Sequence, residues 1–198
     1  MKCRENVLVM FGAAVSSVAA PTANAGVVEF HDRDAWIAAA GEFTTIGFTE
    51  VPNGTFLSNH YAGLGVVFSD GNDITRCCGH FETWPNDGAG LDGNGNIRLA
   101  FSEPQAWIAA DFPGRLRIDI FRDGLLIHSS SQFGHGGVGN FGGLISSEPF
   151  DAAVLKDVPA NFEAEIDDLH FGVPAPGVLW VLAIAAISRG HGRRRFVQ

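Results

Sequence analysis

Basic residues are scarce in this 198-residue chain: 13 Lys and Arg stand against 22 Asp and Glu, a formal net charge of −9. Phosphate backbones are held mainly by Lys and Arg, so nucleic-acid partners are excluded by charge. Charged residues of all kinds make up only 18% against a usual level of about 25%, while 46% are hydrophobic. That balance excludes a disordered chain. Cysteine is nearly absent, with Cys3, Cys77 and Cys78 the only three, too few for a small disulfide-stapled scaffold. No internal repeat is visible, which excludes a propeller or solenoid, and no G-x-S-x-G elbow occurs for nucleophilic catalysis. Glycine, by contrast, is abundant at 25 residues. Glycine suits tight turns and costs stability inside helices, so the composition favours a turn-rich β protein with a single core.

The two ends differ from the body. Residues 1–25 combine Lys2 and Arg4, an apolar run from Val7 to Ala20 and the small-residue exit Ala23-Asn24-Ala25, the three parts of a secretory signal cleaved before Gly26. Cys3 leaves with it. At the other end Val173-Pro174-Ala175-Pro176-Gly177 precedes an apolar stretch from Val178 to Ile187, followed by Arg189, Arg193, Arg194 and Arg195. Ten apolar residues give about 15 Å of helix against a hydrocarbon core of about 30 Å. Extension through Ser188 to Gly192, with Arg189 snorkelling, brings the helix closer to a span. The arginines suit a cytoplasmic flank. A buried C-terminal helix is the competing reading.

This tail resembles the PEP-CTERM sorting signal of bacterial exported proteins, also known as the ice-binding protein C-terminal domain, with Ala175 where the motif usually carries an acidic residue. The resemblance implies recognition of Val173, Pro174, Ala175 and Pro176 by an exosortase-type enzyme, transient anchoring through the C-terminal helix, and delivery to the cell surface, outer envelope or extracellular matrix. It covers about 25 residues and concerns sorting alone.

Residues 26–172 form the expected domain, between a signal peptide at 1–25 and a sorting segment at 173–198. From Gly26 to Pro176 there are 21 acidic residues and 7 basic ones, about −14, a charge that repels polyanions and makes room for cations such as calcium. One helix is expected at 31–40, with Asp32 as N-cap and Gly41 as stop. Short apolar or alternating runs then predict strands at 44–49, 65–69, 97–101, 107–112, 116–121, 125–129, 141–146, 150–155 and 163–171. Leu116, Ile118 and Ile120 share one face of their strand, and Arg122-Asp123-Gly124 supplies the turn of a hairpin running from Leu116 to Ser129. The fold class is therefore mainly β, a single jelly-roll-type β-sandwich with one short N-terminal helix, plus a signal helix and a C-terminal hydrophobic helix.

Several segments carry candidate chemistry. Asn86 to Asn96 places Asp87, Asp92, Asn94 and Asn96 among glycines, a spacing of hard oxygen donors that suits calcium as well as it suits an ordinary Gly/Asn loop. An EF-hand is excluded, since no glutamate stands at the twelfth position. Cys77 and Cys78 are compatible with a vicinal disulfide, a bond to another chain, or free thiols. His128, Gln132, His135 and Asn140 lie in or beside a glycine-rich stretch, with Trp84, Tyr61 or Phe133 as stacking faces for a sugar; a plain connection is the simpler reading.

The body also resembles a group of PEP-CTERM proteins with a lectin-like or carbohydrate-binding-module-like sandwich. The resemblance rests on Asp32-Arg33 with Ala35-Trp36, Thr45-Ile46-Gly47-Phe48, Pro52-Asn53-Gly54-Thr55, Tyr61 with Gly65-Val66-Val67-Phe68, and Ile166-Asp167-Asp168-Leu169-His170-Phe171-Gly172. Gly47 and Thr49 stand where such proteins carry acidic residues. The resemblance implies a calcium ion bridging Glu50 to Asp167 or Asp168, and extracellular polysaccharide as partner. The expected function is thus non-catalytic, calcium-dependent glycan binding at the cell surface or matrix. The alternatives are a structural exopolysaccharide-associated envelope protein without a discrete ligand, and a glycan-degrading enzyme, whose paired carboxylates are set by space rather than by spacing.

Overall fold

The computed structural model describes residues 26–68, 74–77, 90–93, 95–137, 139–159 and 164–172. The expected signal segment 1–25, the expected sorting segment from Val173 and the arginines beyond it lie outside the described residues. Among those described, no helix is long and apolar enough to cross a membrane.

The fold is mainly antiparallel β with one helix, an arrangement consistent with a β-sandwich. Its elements run β1 Val27–Phe30, α1 Arg33–Ala40, β2 Thr44–Ile46, β3 Val66–Phe68, β4 Ile74–Cys77, β5 Gly90–Gly93, β6 Ile97–Phe112, β7 Leu116–Arg122, β8 Leu125–Ser129, β9 Asn140–Asp157, β10 Ala164–Ile166 and β11 Leu169–Gly172. Eight strands form one sheet in the order β2-β11-β6-β9-β7-β8, with β1 on β9 and β3 on β6, and β10-β5-β4 form a second.

Two strands organise the larger sheet. β6 and β9 pair with each other along their lengths, from Ile97 opposite Leu155 to Phe112 opposite Asn140, with register shifts around Gln105. The sequence divides each of them in two, and the reason is the same tripeptide: Ser102-Glu103-Pro104 in β6 and Ser147-Glu148-Pro149 in β9. Proline has no N–H for the ladder, so it belongs at a bulge or bend. The shift also changes which alternate residues face the core: Ile97, Leu99 and Phe101 before it, Ile108, Ala110 and Phe112 after it. Each half of β9 then takes a different third strand, β1 on Ser146 to Gly143 and β7 on residues 152–157.

From Ala106 to Ala110 every residue of β6 is buried, because both faces are covered. One face meets the main core. The other meets α1, whose fully buried Trp36 packs with Trp107, Ala109, Phe141 and Ile145. Gly143 makes this approach possible: a β-carbon there would stand 2.5 Å from Trp36 Cδ1. The helix begins as expected, with Asp32 Oδ1 accepting from Ala35 N–H at 2.8 Å, and Gly41 ends it at φ 80°.

The β7–β8 hairpin is also as expected. Asp123 and Gly124 both take positive φ, 50° and 76°, which a two-residue turn matching strand twist requires. Leu116, Ile118 and Ile120 enter the core. On the opposite face Asp119 is buried as well, because Lys156 Nζ donates to Oδ2 at 2.5 Å and Ser129 Oγ to Oδ1 at 2.7 Å. Burial alone would raise this carboxyl, yet Lys156, Ser129 and Arg117 outweigh burial and hold it below its ordinary value. A lowered folded-state value contributes stability above the unfolded value, and that stability fades as pH falls through the folded one. Replacing Asp119 by Asn is therefore expected to cost about 1–3 kcal/mol at pH 7. The gap from the native chain should narrow at pH 3, read from urea midpoints at both pH values. An equal gap at both would exclude the ionic contribution.

Two expectations differ in detail. The strand expected over 163–171 is broken at Asp167-Asp168 into β10 and β11, which belong to different sheets. β1, β4 and β5 were not foreseen, and β5 occupies residues read as part of an acidic loop.

Candidate functional site

Strand periodicity places His170 on the α1 side of β11, between Leu169 and Phe171, which enter the core. The ring is enclosed by Trp36, Phe43 and Phe141, with centroids at 5.7, 5.5 and 6.5 Å. Such a buried imidazole must find polar partners for both nitrogens. Nδ1 lies 2.9 Å from the Thr45 hydroxyl across the β2–β11 pair, and Nε2 lies 3.2 Å from Asp111 Oδ2 near the end of β6.

Asp111 is bound to the same corner through its backbone. Its N–H donates to Asp168 O at 3.0 Å and its carbonyl accepts from Asp167 N–H at 2.7 Å. The first turn of α1 then brings Arg33 over the two carboxylates. Its Nη2 pairs closely with Asp111 Oδ2, reaches Asp168 Oδ2 at 3.0 Å and stands 3.4 Å from His170 Nε2. Burial works against the Arg33 cation, but Asp111 and Asp168 more than compensate, holding it above its ordinary value.

Beside this cluster a cleft of about 490 Å³ opens between the start of α1 and the glycine-rich segment before β9. His31, Asp32, Arg33, Asp111, His135, Asn140 and Phe141 line it with Gly134 and Gly139. Its far wall is pinned at several points. Phe133 is fully buried and exchanges backbone hydrogen bonds with Leu116 at 2.8 and 3.1 Å. Asn140 Nδ2 donates to Gly114 O and Gly137 O, both at 3.1 Å. The wall thus owes its shape to two anchors with glycines between them.

The structure brings together only part of the expected set. Asp168 belongs to the cluster and Asp167 is buried beside it, whereas Glu50 lies exposed in the turn after β2. Asp92 is a strand residue, opposite Glu165 in β10 and Thr75 in β4, and Asn96 is half-buried before β6. Cys77 ends β4. Asp87, Asn94, Cys78 and Trp84 lie outside the described residues. Of the stacking candidates, Phe133 and Tyr61 are core residues, 0% and 3% exposed, so neither presents a face to a ligand. His135 and Asn140 do reach the cleft. His128 instead pairs with Glu29 at 2.8 Å, and Ser131 donates to the same carboxylate. That trio places Glu29 at its centre, whereas nucleophile activation needs the hydroxyl on the imidazole.

Arg33, Thr45 and His170 entered the sequence reading only as motif residues, and neither they nor Asp111 were assigned to a site. The legible signal was a lone Asp and a lone His inside otherwise apolar strands, since buried polar side chains demand partners. Calcium does not suit this cluster: it takes six to eight oxygens, and here one of the three donors is an imidazole. Among known proteins, no family model and no curated sequence matches this chain.

Proposed function

We propose that the protein is an exported, surface- or matrix-sorted module of jelly-roll-type sandwich architecture that binds a glycan without turning it over, released from a signal at residue 25 and handled at Val173 to Pro176 by an exosortase-type enzyme. The observation that carries the binding reading is the polar cleft beside Arg33. Carboxylate, amide and imidazole groups converge there on a space the size of one or two sugar units, with Phe141 as its aromatic element. Polar side chains set by rigid strands and hydrogen-bonded loops are what oriented hydroxyl recognition requires. The jelly-roll reading is supported by a strand order in which β11 lies between β2 and β6. Calcium enters only through the acidic segment around Asp87 and Asn94.

The test is a titration of the full chain against a panel of bacterial polysaccharides and oligosaccharides, with calcium and then with a chelator. Saturable binding that Asn140→Ala or His135→Ala weakens at least tenfold is expected. Binding to no glycan under either condition would leave the structural envelope role in its place. Turnover would turn the reading towards a glycan-degrading enzyme. Loss of binding with the chelator would show that the recognition depends on calcium.

A further inference from the structure

Three donor atoms, one each from Asp111, Asp168 and His170, lie within 4.8 Å of one another, and Arg33 Nη2 contacts all three. We propose that these residues form a divalent-cation site of mixed oxygen and nitrogen donors whose seat the Arg33 guanidinium fills, so that side chain and ion exclude one another.

Charge is the first argument. Asp111 and Asp168 bring two negative charges and Arg33 returns one, so the arginine-filled cluster is left one charge short of neutrality, and a divalent ion would close the gap. The fit of the side chain is the second. Arg33 Nε is buried without a hydrogen-bond partner, and one of the three contacts of Nη2 is to a ring nitrogen at 3.4 Å. The guanidinium satisfies the donors better than they satisfy it. Third, the donors are held independently of Arg33. Thr45 fixes the far nitrogen of His170, the kind of outer hydrogen bond that aims a ligating imidazole. The backbone bonds of Asp111 to Asp167 and Asp168 fix both carboxylate-bearing residues. Fourth, the displaced side chain has somewhere to go, since Arg33 is 36% exposed and lines the cleft. Two carboxylates and one imidazole suit manganese(II) or zinc(II) rather than calcium. Manganese(II) is the cleaner probe, because thiolates such as Cys77 and Cys78 prefer softer ions.

The experiment is a manganese(II) titration of the full chain followed by electron paramagnetic resonance of the free ion, on the native protein, Arg33→Ala, Arg33→Lys and the double variant Arg33→Ala/His170→Ala. Arg33→Ala is expected to gain a site at least tenfold tighter than any in the native chain. Arg33→Lys, which keeps a cation in the seat, should gain none, and the double variant should lose the gain. Equal binding by the native and Arg33→Ala chains, or a gain that survives removal of His170, would overturn the proposal. Should Arg33→Ala prove too unstable to titrate, manganese(II) must raise its melting temperature and not that of the double variant; no rise overturns the proposal equally.

Discussion

Replacing Trp36 by Ala is expected to cost about 3–5 kcal/mol, the range for deleting a fully buried large aromatic side chain, and to lower the melting temperature by roughly 10 °C in a domain of this size. Trp36 is the point at which α1 is fixed to the sheet. Its ring fills the space left by Gly143, its Nε1 lies 3.4 Å from Leu144 O, and it tilts against Phe43 at 4.9 Å. An eight-residue helix has little stability of its own, so its place depends on this contact. Loss of the ring should therefore also loosen Arg33 one turn earlier and uncover His170. Thermal unfolding gives the first effect, and the chemical shifts of His170 the second. A cost below about 1 kcal/mol would mean that α1 is not docked as described.

The second large effect is expected at Gly134. Its φ of 72° lies in the left-handed region, and a β-carbon there would stand 2.6 Å from Gly114 O and 2.9 Å from Phe112 Cε2. Neither neighbour can yield easily, one being backbone and the other a fully buried core ring. Gly134→Val combines about 1–2 kcal/mol for the backbone with about 1–3 kcal/mol for overpacking, and it deforms the cleft wall between Phe133 and His135. Gly136 supplies the control. Its φ is 93° and nothing lies within 4 Å of a β-carbon, so Gly136→Ala carries the backbone cost alone. Urea unfolding of the two variants should separate by at least about 1 kcal/mol. Equal costs would show that space at Gly134 is not what selects glycine.

Much of the fold was legible because its signals are local. The N-cap at Asp32, the stop at Gly41, the alternation from Leu116 to Ile120 and the turn at Asp123-Gly124 each depend on a few neighbouring residues. The prolines at 104 and 149 fall in the gaps between expected strands, and they are corners within longer ones; a missing N–H interrupts a ladder in either case. Strands of three or four residues such as β1, β4 and β5 escaped because so short a segment has no period to count. The cluster escaped for a different reason. Arg33 meets Asp111 across 78 positions and Asp168 across 135, and no spacing rule reaches that far. Oxygen-rich patterns drew attention to carboxylates as ligands for an ion, when one of them, Asp168, already had a cation from its own chain.

The direction of the strands has a consequence for how the molecule faces its surroundings. β1 enters the sheet with Val27 beside Ser146, and β11 leaves it with Gly172 beside Trp107, itself opposite Ile145. Both ends of the folded body therefore emerge at the same level of the sheet, beside the proline corners midway along β6 and β9. Asp111 and Asn140 stand at the end of β6 and the start of β9, four or five residues further along, about 15 Å away at the rise of an extended chain. On the proposed sorting through Val173 to Pro176, the point of attachment lies at the proline corners and the cleft residues Asp111 and Asn140 lie at the far end of β6 and β9, so the opening faces away from that point.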